Sequence, residues 1–299
     1  MSWSIQYTAC FLNMQTFCME ADQNSIFMML LLVTVLALES MKNNIRYILL
    51  LVHYWFPVVL GWSIAIVIHN ATGMPFLSSG LYLYLLGICA TYNLDRLLDN
   101  KDPFRPRWLT VALVFGFSVS FLFGLLLSIN ISAQSFSALL LFSIFALFYF
   151  QLKKIPFIKT ILISVVWVWA GIGLPFANPH WFAWQFWTMK ISVPLVMLVA
   201  CGCLLCDIKD IRSDSDDGVR SLAVLLGQRK TLLVTSVLLI ITAVISFYEN
   251  RLGLMVGSAA LILLAQFPTI LSLEAAGPLI VDAALAIPGL LIVLHVIHG

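Results

Sequence analysis

Long apolar stretches separated by short polar segments occupy the chain from about residue 46 to its end. Most contain about 18 or more residues, the length that an α-helix needs to cross a hydrocarbon layer of roughly 30 Å. The pattern predicts helices near residues 47–68, 77–94, 108–128, 134–151, 156–176, 186–206, 231–248, 252–272 and 279–297. Because backbone polar groups in lipid must be satisfied internally, we expect an all-α polytopic membrane protein with about nine transmembrane helices in one bundle.

The N-terminal residues follow a different pattern. The apolar segment 26–38 is shorter than a comfortable span, follows the acidic Glu20 and Asp22, and lacks the positive segment of a signal peptide. It favours an interfacial or partly inserted helix. We therefore divide the chain into an N-terminal extension, 1–45, and a transmembrane domain, 46–299. Met41 is an alternative start, so whether residues 1–40 belong to the mature protein stays open.

Composition agrees with a membrane protein and narrows its partners. Of 299 residues, 62% are hydrophobic and only 10% are charged, and the net charge is +2 without a long basic tract. The chain therefore gives no sign of a nucleic-acid partner. Cys201, Cys203 and Cys206 form a local cluster, but the first two would point to different sides of a helix, which favours buried thiols over a zinc site.

Lysine and arginine fall in alternate connections between the predicted helices, which indicates the cytoplasmic side. The even-numbered connections carry Arg96, Lys101, Arg105 and Arg107, then Lys153 and Lys154, then Lys209, Arg212, Arg220, Arg229 and Lys230. The connections between these have none, apart from Arg251 in a short outer turn. We expect both acidic loops to be cytoplasmic, in a bacterial inner membrane or a plastid-type membrane.

Two acidic clusters stand at cytoplasmic ends of apolar stretches. Asp207, Asp210 and Asp214 are spaced three and four residues apart, which places their carboxylates on one stripe of a helix. Asp95 and Asp99 share a face in the same way. Repulsion between like charges near a bilayer requires compensation, and Mg²⁺ prefers hard carboxylate oxygens while leaving positions for phosphate. Two facing stripes therefore favour a shared metal site.

A simpler reading is a solvated loop whose acids are neutralised by Lys209, Arg212 and Arg220. The presence of another acidic cluster, Asp95 and Asp99, favours the metal site over the solvated loop. Interleaved cations could also hold an anionic ligand, and the candidates for a diphosphate are Arg212, Arg105, Lys153 and Lys154. The last three could equally be determinants of topology alone.

The cluster at residues 207–214 resembles the second aspartate-rich motif of the UbiA superfamily of intramembrane prenyltransferases. Asp207, Asp210 and Asp214 fit the family's DxxDxxxD, and G-V-R-S-L-A-V-L-L-G, residues 218–227, is similar to the stretch that follows it. The connection with Tyr149, Lys153 and Lys154 also resembles the family's. The resemblance covers roughly residue 46 onward. It implies nine transmembrane helices and two cytoplasmic aspartate-rich motifs that bind a prenyl diphosphate through Mg²⁺.

The first motif departs from the family's NDxxDxxxD. When Asp95 and Asp99 are placed on its later half, Thr91 and Tyr92 occupy the leading Asn and Asp positions. Asn93 could substitute as a diphosphate ligand if the helix unwinds there, although in a regular helix it would face away from Asp95. The departure puts either activity or the usual number of metal ions in doubt.

The resemblance implies Mg²⁺-dependent transfer of a prenyl group from an isoprenoid diphosphate to a small lipophilic acceptor, aromatic or hydroxyl-bearing, inside the lipid bilayer. It implies metal ligation by the five aspartates of both motifs, with Asp210 and Asp95 central to catalysis. Aromatic faces would stabilise an allylic cation, or would simply pack; the candidates are Trp55, Phe56, Tyr149, Trp167 and Trp169.

Other readings remain open. A terpene cyclase would use the same motifs, and the altered first motif favours a non-catalytic membrane binding or assembly protein. A transporter fits less well, because the acids cluster at loops. Two intramembrane residues stand apart: His53 could touch the acceptor or pack within the bundle, and Asp282 is either functional or interfacial.

Overall fold

The computed structural model describes residues 45–73, 78–98, 107–129, 157–174, 191–273 and 276–294, with a few isolated positions between 136 and 155. These ranges are all-α and contain ten helices. The helices are α1 (Ile45–Thr72), α2 (Ser78–Leu98), α3 (Arg107–Ser128), α4 (Ile158–Gly173), α5 (Ser192–Cys206), α6 (Ile211–Asp216), α7 (Leu222–Tyr248), α8 (Leu252–Ala265), α9 (Pro268–Leu271) and α10 (Ala276–Val293). The N-terminal segment 26–38 and most of the predicted helix 134–151 lie outside the described residues.

The chain divides into two units, Met1–Val52 and His53–Gly299. The described part of the first unit is the beginning of α1. In the second, α2 packs on α3, α7 packs on α8, and α5 contacts α4, α7 and α10. Leucine, isoleucine, valine and aromatic side chains from these helices form its buried core. The central position of α5 matters because the second acidic motif follows directly from its end.

The apolar character of the helices extends to their outer faces. Four are long and apolar enough to cross a membrane, namely α1 (from Ile48), α3, α7 and α10, and three shorter helices, α4, α5 and α8, are also apolar. On α3, Phe115, Phe121 and Leu122 are each more than half exposed. An apolar outer surface of this kind suits lipid rather than water.

Most predicted helix positions agree with the described helices, but α7 differs. It begins at Leu222 rather than near residue 231, because Ser221 caps it: the Val224 backbone N–H donates to the Ser221 hydroxyl at 3.3 Å. The helix is interrupted at Gly227, whose φ of 73° suits a residue without a side chain. The G-V-R-S-L-A-V-L-L-G stretch therefore forms a short capped helix and a break before the long apolar helix.

Polar contacts fix the crossing of α1 and α10. The Ser63 hydroxyl donates to the Ala286 carbonyl at 2.9 Å and accepts the Gly289 N–H at 3.0 Å. Gly289 permits this approach, since a Cβ there would lie 2.6 Å from the Ser63 Cα. Such close crossing through small residues is typical of membrane helices.

Candidate functional site

The second acidic motif begins where α5 ends. α5 ends at Cys206, residues 207–210 form turns, and α6 begins at Ile211, so the motif does not continue as the single helix that its spacing predicts. The backbone N–H of Asp214 still donates to the Asp210 carbonyl at 2.7 Å. This local winding keeps Asp207 and Asp214 on a common side.

Lys159, in the first turn of α4, joins these two carboxylates. Its Nζ lies 2.7 Å from Asp207 Oδ1 and 3.1 Å from Asp214 Oδ2. The ammonium therefore stands between the first and last aspartates of the motif, where it offsets the repulsion between them. Sequence reasoning missed Lys159; its signal was a single cation at the beginning of an apolar helix on the same predicted side as both acidic loops.

Asp207 is the most buried carboxylate of the motif, with 5% of its surface exposed. Burial raises the pKa of Asp207 to about 6, although the ammonium of Lys159 opposes the shift. Its second oxygen, Oδ2, is buried and has no hydrogen-bond partner among the described residues. A buried carboxylate oxygen in this state is costly unless a cation or a donor completes its shell.

Asp210 has a different surrounding. Its Oδ1 accepts a hydrogen bond from Lys209 Nζ at 2.7 Å, and the residue is half-buried. Arg212, the neighbouring candidate for the diphosphate, is exposed on α6. Each aspartate of the second motif thus has an ammonium partner, supplied by Lys159 or Lys209, and basic and acidic groups alternate on one small surface.

Arg96, near the end of α2, relates the first motif to the second by its charge. The Arg96 Nε is 3.9 Å from Asp95 Oδ2, and its guanidinium carbon lies 5.4 Å from the centroid of the Tyr54 ring. Arg96 is also within electrostatic range of Asp210. Both predicted catalytic aspartates, Asp95 and Asp210, are therefore within electrostatic range of one guanidinium.

Tyr92, at one of the two degenerate positions of the first motif, and its neighbour Asn93 pack within the protein, whereas Thr91 is exposed. Tyr92 makes an edge contact with Trp167, with ring centroids 5.7 Å apart. Asn93 is fully buried, donates from Nδ2 to the Cys89 carbonyl at 2.7 Å, and lies against Gly116 of α3. The structure thus places Asn93 at the α2–α3 packing.

Several predicted site residues lie outside the described residues: Asp99, Arg105, Tyr149, Lys153 and Lys154. Within the described ranges, no three histidine, cysteine or acidic side chains converge as a ready metal site. Among the aromatic candidates, Trp167 is buried, whereas Trp55, Phe56 and Trp169 are half-buried. What the structure brings together is an acidic and basic cluster formed by the ends of α2 and α5 and the beginning of α4.

Comparison with known proteins agrees with this arrangement. The UbiA prenyltransferase family matches residues 109–276, which is more than half of the chain. The chain therefore belongs to the UbiA prenyltransferase family. None of the curated proteins that were compared gives a significant sequence match.

Solved structures show the same fold. An apo UbiA homolog from Aeropyrum pernix K1 is 14% identical, with a TM-score of 0.61 over 81% of this chain and 98% of that one. A UbiA homolog from Archaeoglobus fulgidus bound to GPP and Mg²⁺ is 17% identical, with a TM-score of 0.52 over 81% and 98%. A UbiA homolog from Archaeoglobus fulgidus bound to DMAPP and Mg²⁺ is 17% identical, with a TM-score of 0.51 over 83% of this chain and 99% of that one. Family and apolar helices together identify an integral membrane protein.

Proposed function

We propose that the protein is a prenyltransferase that moves a prenyl group from an isoprenoid diphosphate to a lipophilic acceptor in a Mg²⁺-dependent reaction. The observation that carries the proposal is the cluster in which Lys159 joins Asp207 and Asp214 beside Asp210, Arg96 and Asp95. Family membership supports the reaction class, and the Archaeoglobus fulgidus homolog bound to GPP or DMAPP with Mg²⁺ supports the donor.

The donor set of the cluster suits Mg²⁺. All candidate ligands are carboxylates, the hard oxygen donors that this ion prefers, and Asp207 Oδ2 is a buried oxygen without a hydrogen-bond partner in the described part of the chain. We propose Asp207, Asp210, Asp214 and Asp95 as the residues that hold Mg²⁺, with Asp99 completing the first motif. When bound, the ion supplies positive charge that stabilises the departing diphosphate.

Lysine and arginine side chains would also stabilise the diphosphate leaving group. Lys159 and Arg96 place positive charge within the cluster, and Lys153, Lys154, Arg105 and Arg212 remain proposed contacts for the diphosphate. The apolar helices below the cluster would hold the prenyl chain and exclude water from the allylic cation. The rings of Tyr92 and Trp167 would face that cation if the prenyl chain enters between α2 and α4.

The same proposal includes nine transmembrane helices, with the acidic loops on the cytoplasmic side and residues 1–45 as an extension. The alternation of basic connections supports this arrangement. A bacterial inner membrane or a plastid-type membrane fits it equally.

One observation favours a second candidate, a non-catalytic membrane binding protein of the same family. Tyr92 stands where the motif of the family has an acid, and its ring packs against Trp167. An aromatic side chain in that position removes one carboxylate from the first motif. Donor binding without turnover would support this candidate.

Product analysis tests the proposed reaction. Purified protein would be incubated with geranyl diphosphate, Mg²⁺ and a membrane lipid extract, beside Asp210→Ala and the control Asp216→Ala, an exposed acid of α6. We expect pyrophosphate release and a prenylated product with the wild type and the control, and neither with Asp210→Ala. A cyclised isomer of the prenyl chain would indicate a terpene cyclase instead.

A further inference from the structure

His53 and Asp282 meet inside the helix bundle. His53 lies on α1 and is 6% exposed, and Asp282 lies on α10 and is 9% exposed. The His53 Nδ1 is 3.6 Å from Asp282 Oδ2, and Nδ1 has no hydrogen-bond partner among the described residues. Buried ionisable groups within membrane helices are costly, and such a pair requires an explanation beyond packing.

Two neighbouring residues link the pair to the acidic cluster. Next to His53 in the chain, Tyr54 carries the Arg96 guanidinium on its ring, and Arg96 contacts Asp95. Asp282 is related to the cluster through α5. The thiol of Cys203, in the last turn of that helix, is within electrostatic range of both Asp207 and Asp282. These links make the pair a candidate to act on a substrate beside a prenyl donor held by the cluster.

Close packing fixes the position of Asp282 relative to α5. A Cβ on Gly202 would overlap the side chain of Leu285, which follows Asp282 by one helical turn on α10. The crossing of α1 and α10 at Ser63 and Gly289 fixes α1, the helix that carries His53. Both members of the pair are thus carried by rigid helices, as a catalytic pair requires.

Prenyl transfer leaves a proton that needs a destination. The bond between the prenyl carbon and the diphosphate oxygen breaks, and its electron pair leaves with the diphosphate. A ring carbon or a hydroxyl oxygen of the acceptor then bonds to the prenyl carbon and must lose its proton. The aspartates of the second motif have ammonium partners, whereas Nδ1 of His53 has no hydrogen-bond partner among the described residues.

We propose that His53 accepts the proton of the acceptor substrate and that Asp282 positions and stabilises the resulting imidazolium. The carboxylate faces Nδ1, which leaves Nε2 for the acceptor, the division of roles found in histidine and aspartate pairs. A spacing of 3.6 Å is too long for a hydrogen bond, but catalytic hydrogen bonds are often long before the substrate binds. The inference rests on the proposed function and defines the acceptor as a phenol, hydroquinone or alcohol.

Turnover and donor binding, measured together, test the proposal. The full chain would be given geranyl diphosphate and Mg²⁺ with p-cresol, naphthohydroquinone or geraniol as acceptor probe. The variants are His53→Gln, Asp282→Asn and the double variant, which retains the shapes and removes both ionisable groups. His69→Gln, in the last turn of the same helix, is the matched control.

We expect the wild type and His69→Gln to prenylate at least one probe, and His53→Gln to lose about 100-fold in kcat with an unchanged Kd for the donor. Asp282→Asn should lose less, and the double variant should be no slower than His53→Gln, because the pair acts as a unit. Unchanged donor binding in the variants shows that they are folded.

Two results would overturn the inference while leaving the proposed function in place. One is a kcat of His53→Gln within about threefold of the wild type, well short of a general-base effect. The other is a wild-type protein that binds the donor but prenylates none of the three probes. Failure of the wild type to bind the donor would instead overturn the proposed function.

Discussion

The ammonium of Lys159 lies 2.7 Å from Asp207 and 3.1 Å from Asp214, and so joins the two ends of the acidic motif that follows α5. Lys159 lies in the first turn of α4, so this end of α4 lies beside the motif. One cation from α4 therefore organises carboxylates that are seven residues apart in the chain. Because Lys159 and a divalent ion would compensate the same carboxylates, the stability of the cluster and its affinity for a divalent ion are linked.

Removal of Lys159 should destabilise the metal-free protein. Lys159→Met leaves the buried Asp207 carboxylate uncompensated, and we expect a loss of about 3 kcal/mol in the free energy of unfolding. Lys159→Arg retains the charge and should lose less. Thermal unfolding in detergent measures both, and Mg²⁺ should restore part of the loss in Lys159→Met. A Lys159→Met variant as stable as the wild type would contradict the role of this ion pair.

The ring of Tyr92 should act through packing and not as a ligand. Tyr92→Phe retains the edge contact with Trp167, so its donor affinity and Mg²⁺ dependence should equal those of the wild type. Tyr92→Ala should lower stability by about 2 kcal/mol, since it removes a half-buried aromatic ring. Calorimetry with a donor analogue measures the first effect and thermal unfolding the second. Weaker Mg²⁺ binding in Tyr92→Phe would show that the phenol oxygen contributes to the metal site.

Arg96 should contribute to donor binding through its charge. Its guanidinium lies over the Tyr54 ring and beside Asp95, within range of Asp210. Arg96→Met removes a charged contact to the diphosphate, and we expect donor affinity to fall about 10- to 100-fold. Arg107→Met, an exposed cation at the beginning of α3, is the control and should have no effect. Equal donor affinity for both variants would exclude Arg96 from the diphosphate site.

The crossing of α1 and α10 should be intolerant of a single methyl group. Gly289→Ala would place its Cβ 2.6 Å from the Ser63 Cα, and because backbone cannot easily yield, we expect a loss of about 3 kcal/mol. Gly87→Ala, in α2, meets no atom within 4 Å and should be neutral or slightly stabilising. Thermal unfolding of the two variants provides the comparison. Similar unfolding temperatures would mean that this crossing is looser than the structure indicates.

The sequence predicted the helices well because apolar length and connecting charges carry the signal directly. α3, for example, agrees with its prediction to within one residue at each end. The beginning of α7 was missed because the hydrophobic pattern ignores caps, and Ser221 and Gly227 determine its first turns locally. The number of transmembrane helices is still a prediction.

The candidate site was only partly predictable. The spacing of Asp207, Asp210 and Asp214 pointed to one cluster, and the resemblance to the UbiA superfamily is confirmed by the family match. Lys159 and Arg96 were missed as partners because pairing across helices depends on tertiary packing, which no local pattern encodes. The meeting of His53 and Asp282, more than 200 residues apart, was unpredictable for the same reason. The roles of the predicted site residues remain proposals.

The most direct measurement is calorimetric titration of the purified protein with a non-hydrolysable geranylgeranyl diphosphate analogue, with and without Mg²⁺, beside Asp210→Ala and Asp95→Ala. We expect binding that requires Mg²⁺ and is lost in both variants, because both motifs are proposed to hold the same ligand. An absence of binding to folded wild-type protein in the presence of Mg²⁺ would overturn the proposed site for an isoprenoid diphosphate.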